Sequence, residues 1–169
     1  MKKCAIGWAV LTLGALVLLS TPPAAFATHV CVSPTITGGS GDDLVIGTSG
    51  ADQIDGLGGN DSVYGRGGND VVCGQTGNDS LFGEDGNDSV FGEWGDDFVF
   101  GNPGGDTVDG GLDNDEVYGQ GGNDTLYGWY GNDCLVGGSG TDTLDGGPGT
   151  DSCNGGETYI SCEIQASCP

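Results

Sequence analysis

From Gly38 to Asn154 the chain repeats every nine residues without an insertion, so that 117 residues divide into thirteen nonapeptides. Position 1 is Gly in all thirteen and position 6 is Asp in all thirteen. Position 4 is Gly in twelve, the exception being Asp113. Position 8 is Val, Ile or Leu in twelve and Cys153 in the last. Position 5 is Asn in seven units and Asp in two. Four columns kept in phase over this length signal a repeat architecture, and the period outranks any reading from composition.

Each column suggests a physical role. Gly at positions 1 and 4 permits positive φ and close backbone approach, as tight loops require. Asp at position 6 supplies a hard anionic oxygen donor. Positions 7–9 read x-U-x, where U is aliphatic: a three-residue strand whose middle side chain points to one face. Each nonad is therefore one loop and one short strand, and two nonads close an 18-residue turn of a flattened roll. The expected fold is an all-β parallel β-roll of about 6.5 turns with terminal caps. Its inward stacks are Val45, Val63, Leu81, Val99, Val117, Leu135 and Cys153 from the odd units. The even units give Ile54, Val72, Val90, Val108, Leu126 and Leu144. One aliphatic side chain per nine residues cannot offset the entropy of ordering nine residues. Bound metal is expected to supply the difference.

The units resemble the G-G-x-G-x-D-x-U-x repeats of the RTX (haemolysin-type) calcium-binding family, and the resemblance covers all thirteen. It implies Ca²⁺ held between loops one full turn apart, by loop carbonyls and the position-6 carboxylates. Carried onto this chain, one column is Asp43, Asp61, Asp79, Asp97, Asp115, Asp133 and Asp151. The other is Asp52, Asp70, Asp88, Asp106, Asp124 and Asp142. Gaps between neighbours in the two columns number eleven. Departures exist: position 2 is Gly only at Gly39, Gly111, Gly138 and Gly147, and Pro103 and Pro148 occupy position 3. Asp tolerates left-handed dihedrals better than most residues, so Asp113 implies a local distortion and not a lost repeat. Nothing in the sequence matches the toxin, protease or lipase domains of larger family members, and those activities are not assigned.

Composition fits this reading. The 169 residues include 37 Gly, 25 acidic residues and three Lys or Arg, for a net charge of −22. That sign excludes a nucleic-acid binder, which needs a basic footprint. Residues 1–27 read as a secretory signal peptide: Lys2 and Lys3, an apolar run to Leu19, and the A-x-A site Ala25-Phe26-Ala27. No other segment is long and apolar enough to span a bilayer. With Arg66 then the only cation against 25 acidic residues, the charge becomes −24, which eleven Ca²⁺ would nearly neutralise. Segments 28–37 and 155–169 read as N- and C-terminal caps around a roll at 38–154. A secreted, calcium-binding, non-enzymatic protein is expected. Zinc is disfavoured, with a single His (His29) and scattered Cys. No base lies where it could activate a Cys nucleophile, and neither an EF-hand nor a phosphate loop is present.

Six cysteines remain after residue 27, in a compartment that permits disulfides. Continuing the nonad phase through 155–163 puts Cys162 at position 8 beside Cys153, so Cys153–Cys162 is the first expected pair. Position 6 of that unit is Ile160, where calcium ligation would stop. Ile36 falls at position 8 before the first unit, and Cys31 is expected to reach Cys73. Elimination leaves Cys134 with Cys168. Positions 7 and 9 are expected to face outward. Position 9 of the odd units forms a stripe: Ile46, Tyr64, Phe82, Phe100, Tyr118 and Val136, with Phe98 beside it. The stripe suits cross-strand stacking, or a docking surface for self-association or a cell-surface partner, as in an adhesin or matrix component. Trp94, Trp129 and Tyr130 in the loops could hold a glycan. A rank of Thr107, Thr125 and Thr143 raises ice binding as a remote alternative.

Overall fold

The computed structural model describes Cys31 and residues 34–162. The expected leader at 1–27, His29 and Cys168 lie outside the described residues. Fifteen strands follow one another: β1 Ile36–Thr37, β2 Leu44–Ile46, β3 Gln53–Gly58, β4 Ser62–Tyr64, β5 Val71–Thr76, β6 Ser80–Phe82, β7 Ser89–Trp94, β8 Phe98–Pro103, β9 Thr107–Leu112, β10 Glu116–Gly121, β11 Thr125–Tyr130, β12 Cys134–Ser139, β13 Thr143–Asp145, β14 Ser152–Asn154 and β15 Thr158–Ile160. Among the described residues there is no helix, and so none long and apolar enough to cross a membrane.

The strands alternate between two all-parallel sheets. One has eight strands, in the order β1-β3-β5-β7-β9-β11-β13-β15, and the other seven, from β14 down to β2. From β1 to β12 each strand pairs with the strand one rung on at an offset of 18 residues, as in Ile54↔Val72 and Val63↔Leu81. Two nonads per turn of a parallel β-roll is therefore the architecture. All thirteen position-8 side chains, from Val45 to Cys153, form one buried cluster between the sheets. Ile36 packs against it from one end and Cys162 from the other.

Three details differ from the sequence reading. First, eight strands are six residues long and run through positions 1–3 of the following unit. The ladder skips position 1 and resumes at position 2, as in Asp55↔Cys73 followed by Leu57↔Gln75. Second, the left-handed backbone sits at positions 2 and 4, not 1. Leu57, Arg66, Gln75, Glu84, Glu93, Asn102, Gln120 and Trp129 take φ of 68–79° at position 2. Gly at position 1 is needed for space. A Cβ on Gly56 would stand 2.6 Å from Asp61 Oδ2 and 3.0 Å from the carbonyl oxygen of Gly74. Asp113 takes φ 80° in place of a position-4 glycine, and the repeat continues through it.

Third, the last rung breaks phase. β15 pairs with β13 at an offset of 15, Leu144 facing Tyr159 and Asp145 facing Ile160. Cys162 is therefore not the ladder partner at position 8 that the unbroken phase implied, and Ile160 stands at position 9, not 6. Three residues have been lost from the loop after Gly155. Cys162 still reaches the end of the core and bonds to Cys153. At the other end Cys31 bonds to Cys73, and the two pack with Phe91 in a second small cluster. Cys134 is disulfide-bonded as well.

Candidate metal sites

The two edges of the roll, where the chain turns from one sheet to the other, carry the Asp columns. Strand pairing one rung apart fixes each position-6 residue directly above its counterpart, so the columns follow from the 18-residue offset. Asp61, Asp70, Asp79, Asp88, Asp97, Asp106, Asp115, Asp124, Asp133, Asp142 and Asp151 are all buried, none more than 2 % exposed. Asp43 and Asp52, in the first rung, are only partly buried.

Each buried carboxylate uses its two oxygens differently. Oδ1 accepts the backbone N–H of the position-6 Asp one rung earlier. In one column Asp43 N donates to Asp61, Asp61 to Asp79, Asp79 to Asp97, and so on to Asp151, at 2.7–3.0 Å. In the other the chain runs from Asp52 to Asp142 at 2.8–2.9 Å. Oδ2 of Asp61, Asp70, Asp79, Asp88, Asp97, Asp106, Asp115, Asp124, Asp133 and Asp142 is buried with no hydrogen-bond partner. An acceptor without a donor is costly in such surroundings. Ten repetitions mark a designed environment, not an accident of packing.

Electrostatics point the same way. Burial pushes Asp79 and Asp88 up to about 6, Asp106 and Asp133 to about 7, Asp97 to about 8 and Asp115 to about 9. Asp61, Asp70 and Asp124 are raised by burial too. In each case the donated N–H pulls the value down, and carboxylates of neighbouring rungs raise it again. Asp97 and Asp115, held above neutral, need either a proton or a cation at pH 7.

The donor set decides which cation fits. Around eight position-1 glycines a partnerless Oδ2 and the carbonyl oxygen of a position-1 glycine from the next rung both crowd the place of a Cβ, as Asp61 Oδ2 and Gly74 O do about Gly56. These are hard oxygen donors, as calcium prefers. No group of three or more His, Cys, Asp or Glu side chains converges on one point among the described residues. Carboxylates enter singly, one from each rung, and backbone carbonyls stand beside them.

Two features of this edge escaped the sequence reading. The Asn column at position 5 forms a second ladder in the opposite sense. Asn60 Oδ1 accepts from Asn78 N at 2.9 Å, Asn69 from Asn87 N at 3.0 Å, and Asn114 from Asn132 N at 3.0 Å. Its signal was the count of seven Asn, which had no role assigned. The second feature is Glu157. Its Oε2 accepts Asp142 N at 2.7 Å, where a further position-6 Asp would have stood. Allowing for the three-residue deletion, Glu157 occupies position 6, and its longer side chain spans the shortened loop.

The outer faces also differ from expectation. On the seven-strand sheet Tyr64, Phe82, Phe100 and Tyr118 stack face to face, with centroids 4.8–5.0 Å apart and planes within 9°. On the eight-strand sheet position 9 is not simply outward: Asp55, Cys73, Phe91 and Asp109 are buried. Cys73 and Phe91 pack with Cys31, and left-handed position-2 residues from a neighbouring rung reach over the two Asp. Gln75 Nε2 donates to both carboxylate oxygens of Asp55, at 2.7 and 2.8 Å. Trp129 Nε1 donates to Asp109 Oδ2 at 2.8 Å. Burial, then Asp55 and Asp109, push Glu93 up to about 7. Thr107, Thr125 and Thr143 share a rank that the shifted last strand extends to Thr158.

A family profile described as RTX calcium-binding nonapeptide repeat (4 copies) matches residues 37–72, 74–108, 100–133, 109–144 and 130–157. No curated protein is matched by the chain.

Proposed function

The chain belongs to the RTX calcium-binding nonapeptide-repeat family, and from that premise we propose a secreted, non-enzymatic protein that folds on binding calcium between its rungs. The single observation that carries this reading is the set of ten buried carboxylates in the two columns, Asp61, Asp70, Asp79, Asp88, Asp97, Asp106, Asp115, Asp124, Asp133 and Asp142, whose Oδ2 atoms lack a donor. The ligands on this reading are Asp43, Asp52, Asp61, Asp70, Asp79, Asp88, Asp97, Asp106, Asp115, Asp124, Asp133, Asp142 and Asp151, with loop carbonyls, around up to eleven ions. A bound calcium ion supplies two positive charges to oxygens that otherwise repel one another. The chain's own part is to align one carboxylate per rung, fix it through Oδ1 on a backbone N–H, and leave Oδ2 for the metal.

The division of the chain follows from the same reading: a leader at 1–27, an N-terminal cap at 28–37, the roll at 38–154 and a C-terminal cap at 155–169. Both disulfides between described residues, Cys31–Cys73 and Cys153–Cys162, suit an oxidising exterior. Extracellular calcium is abundant enough that affinities on the order of 10⁻⁴–10⁻³ M suffice. Low hydrophobicity with high net charge keeps the metal-free chain from folding. The aromatic stripe is spent largely on its own stacking, which favours stiffening of the roll over a docking role. The threonine rank is one line of four, not a lattice-matching plane. Circular dichroism at pH 8 tests the reading. A β signal should develop on adding calcium and vanish in chelator. A full β signal in chelator, unchanged by calcium, would overturn it.

A further inference from the structure

Near the C-terminal end of the roll, on the outer side of the eight-strand sheet, the last regular rungs enclose a cleft of about 320 Å³. It is lined by Tyr127, Trp129, Tyr130, Asp145, Pro148 and Ser161. The volume lies at the lower end of the range for small-molecule sites. This cleft is separate from the Asp columns and contributes nothing to them.

Its aromatic wall is held in place. Trp129 is fixed by its indole N–H, which donates to Asp109 Oδ2 at 2.8 Å. Tyr127 packs against it with centroids 6.3 Å apart and planes inclined by 33°. Trp129 also keeps a left-handed φ of 68°, a conformation that a large side chain adopts only when its surroundings impose it. Asp145 supplies the acidic element. Its Oδ1 is buried and has no hydrogen-bond partner. No lining residue is a cation, so no protein group in the cleft can neutralise that carboxylate.

We infer that this cleft binds a small organic ammonium cation, seated against the faces of Tyr127, Trp129 and Tyr130 and drawn by the Asp145 carboxylate. Aromatic faces with an adjacent carboxylate recognise alkylammonium groups through cation–π attraction and charge. A neutral sugar is less well served. It would need several directed polar partners, whereas the side-chain polar atoms here are one carboxylate and a few hydroxyls.

The test is choline added to the purified chain in saturating calcium, followed by tryptophan fluorescence in a background carrying Trp8→Phe and Trp94→Phe, so that the signal reports Trp129. The expected result is a saturable change, with 3,3-dimethylbutan-1-ol, the uncharged isostere of choline, weaker by about tenfold. Asp145→Asn and, independently, Tyr130→Ala should each weaken choline by about fivefold or more. Circular dichroism should show both variants as folded as the parent. Sodium chloride at matched ionic strength should not reproduce the change. The inference fails if the response does not saturate, if the isostere matches choline, if both folded variants bind like the parent, or if a methyl glycoside binds where choline does not. Lack of choline binding by a roll that still folds in calcium would refute this cleft alone. It would leave the metal columns untouched.

Discussion

The middle of the roll and its ends solve the same problem differently. In the middle, Asp97 and Asp115 have loops above and below them, and burial drives their carboxyls up to about 8 and about 9. At the first rung, Asp43 and Asp52 remain partly open to water and their Oδ2 atoms have donors: Gly39 N at 2.6 Å for Asp43, and Thr48 N and Oγ1 at 2.7 and 2.8 Å for Asp52. At the last rung the chain abandons the pattern: the loop shortens by three residues and Glu157 accepts the final N–H. Both ends also carry a disulfide. The contrast shows where cation dependence is concentrated. On the proposed reading, interior rungs depend on a cation to match their charge, while terminal rungs also have covalent and hydrogen-bonded closure.

The sharpest way to break this contrast is pH. The interior carboxyls have folded values above the ordinary 3.8. A raised folded value means the metal-free fold is favoured while the groups are protonated. That support is fully present below about pH 4 and is lost as pH rises through about 6 to 9. In chelator the β signal is therefore expected to be substantially greater at pH 5 than at pH 8. In calcium the order reverses, since protons compete for the ligands, and half-saturation should need more calcium at pH 5. Equal stability at both pH values without metal would contradict the picture.

Next in size is the position of a missing carboxylate. Asp115→Asn should cost about 3–5 kcal/mol in calcium, because it disturbs a desolvated charge cluster from within. Asp43→Asn should cost less than about 1 kcal/mol, as expected of a partly exposed charge. Calcium-dependent thermal melts distinguish the two, and similar losses would erase the difference between interior and end. The disulfides sharpen the comparison between the ends themselves. Cys31–Cys73 spans 42 residues and Cys153–Cys162 spans 9. Chain entropy then assigns about 4 kcal/mol to the first and about 2.6 kcal/mol to the second. Urea unfolding of Cys31→Ser with Cys73→Ser, against Cys153→Ser with Cys162→Ser, checks the order.

Smaller effects remain. Glu157→Ala orphans the N–H of Asp142 and should cost about 1–2 kcal/mol. A melting temperature unchanged from the parent would show that water serves as well. Leu57→Gly relieves a left-handed φ of 78° on a solvent-exposed residue and should stabilise by up to about 1 kcal/mol. A loss of stability would mean that the leucine side chain matters more than its backbone.

Periodicity made most of this molecule readable in advance. Strand parity, the 18-residue turn and the buried stack from Val45 to Cys153 follow from phase alone; both disulfides between described residues were expected, but Cys162 reaches Cys153 beyond a shifted rung and not from the position 8 that phase implied. The parts that escaped are those in which phase does not determine conformation. Position 2 is left-handed even where it is Leu, Glu or Trp, because the rungs on either side impose the turn, and no local propensity announces that. At position 9 of the eight-strand sheet Asp55 and Asp109 are buried because Gln75 and Trp129 lean over them, so they passed for surface groups. Glu157 was hidden by a three-residue deletion, which unbroken counting steps over. The Asn column was visible but mute, since its role is to accept an N–H from the next rung, a contact between residues 18 apart.

Crystals grown in calcium and measured for anomalous scattering test the central claim most directly. The account predicts two rows of calcium peaks, one along each edge of the roll, each peak between successive Asp carboxylates and one rung from the next. Clear density for the Asp columns with no peaks between the rungs, at saturating calcium, would contradict it.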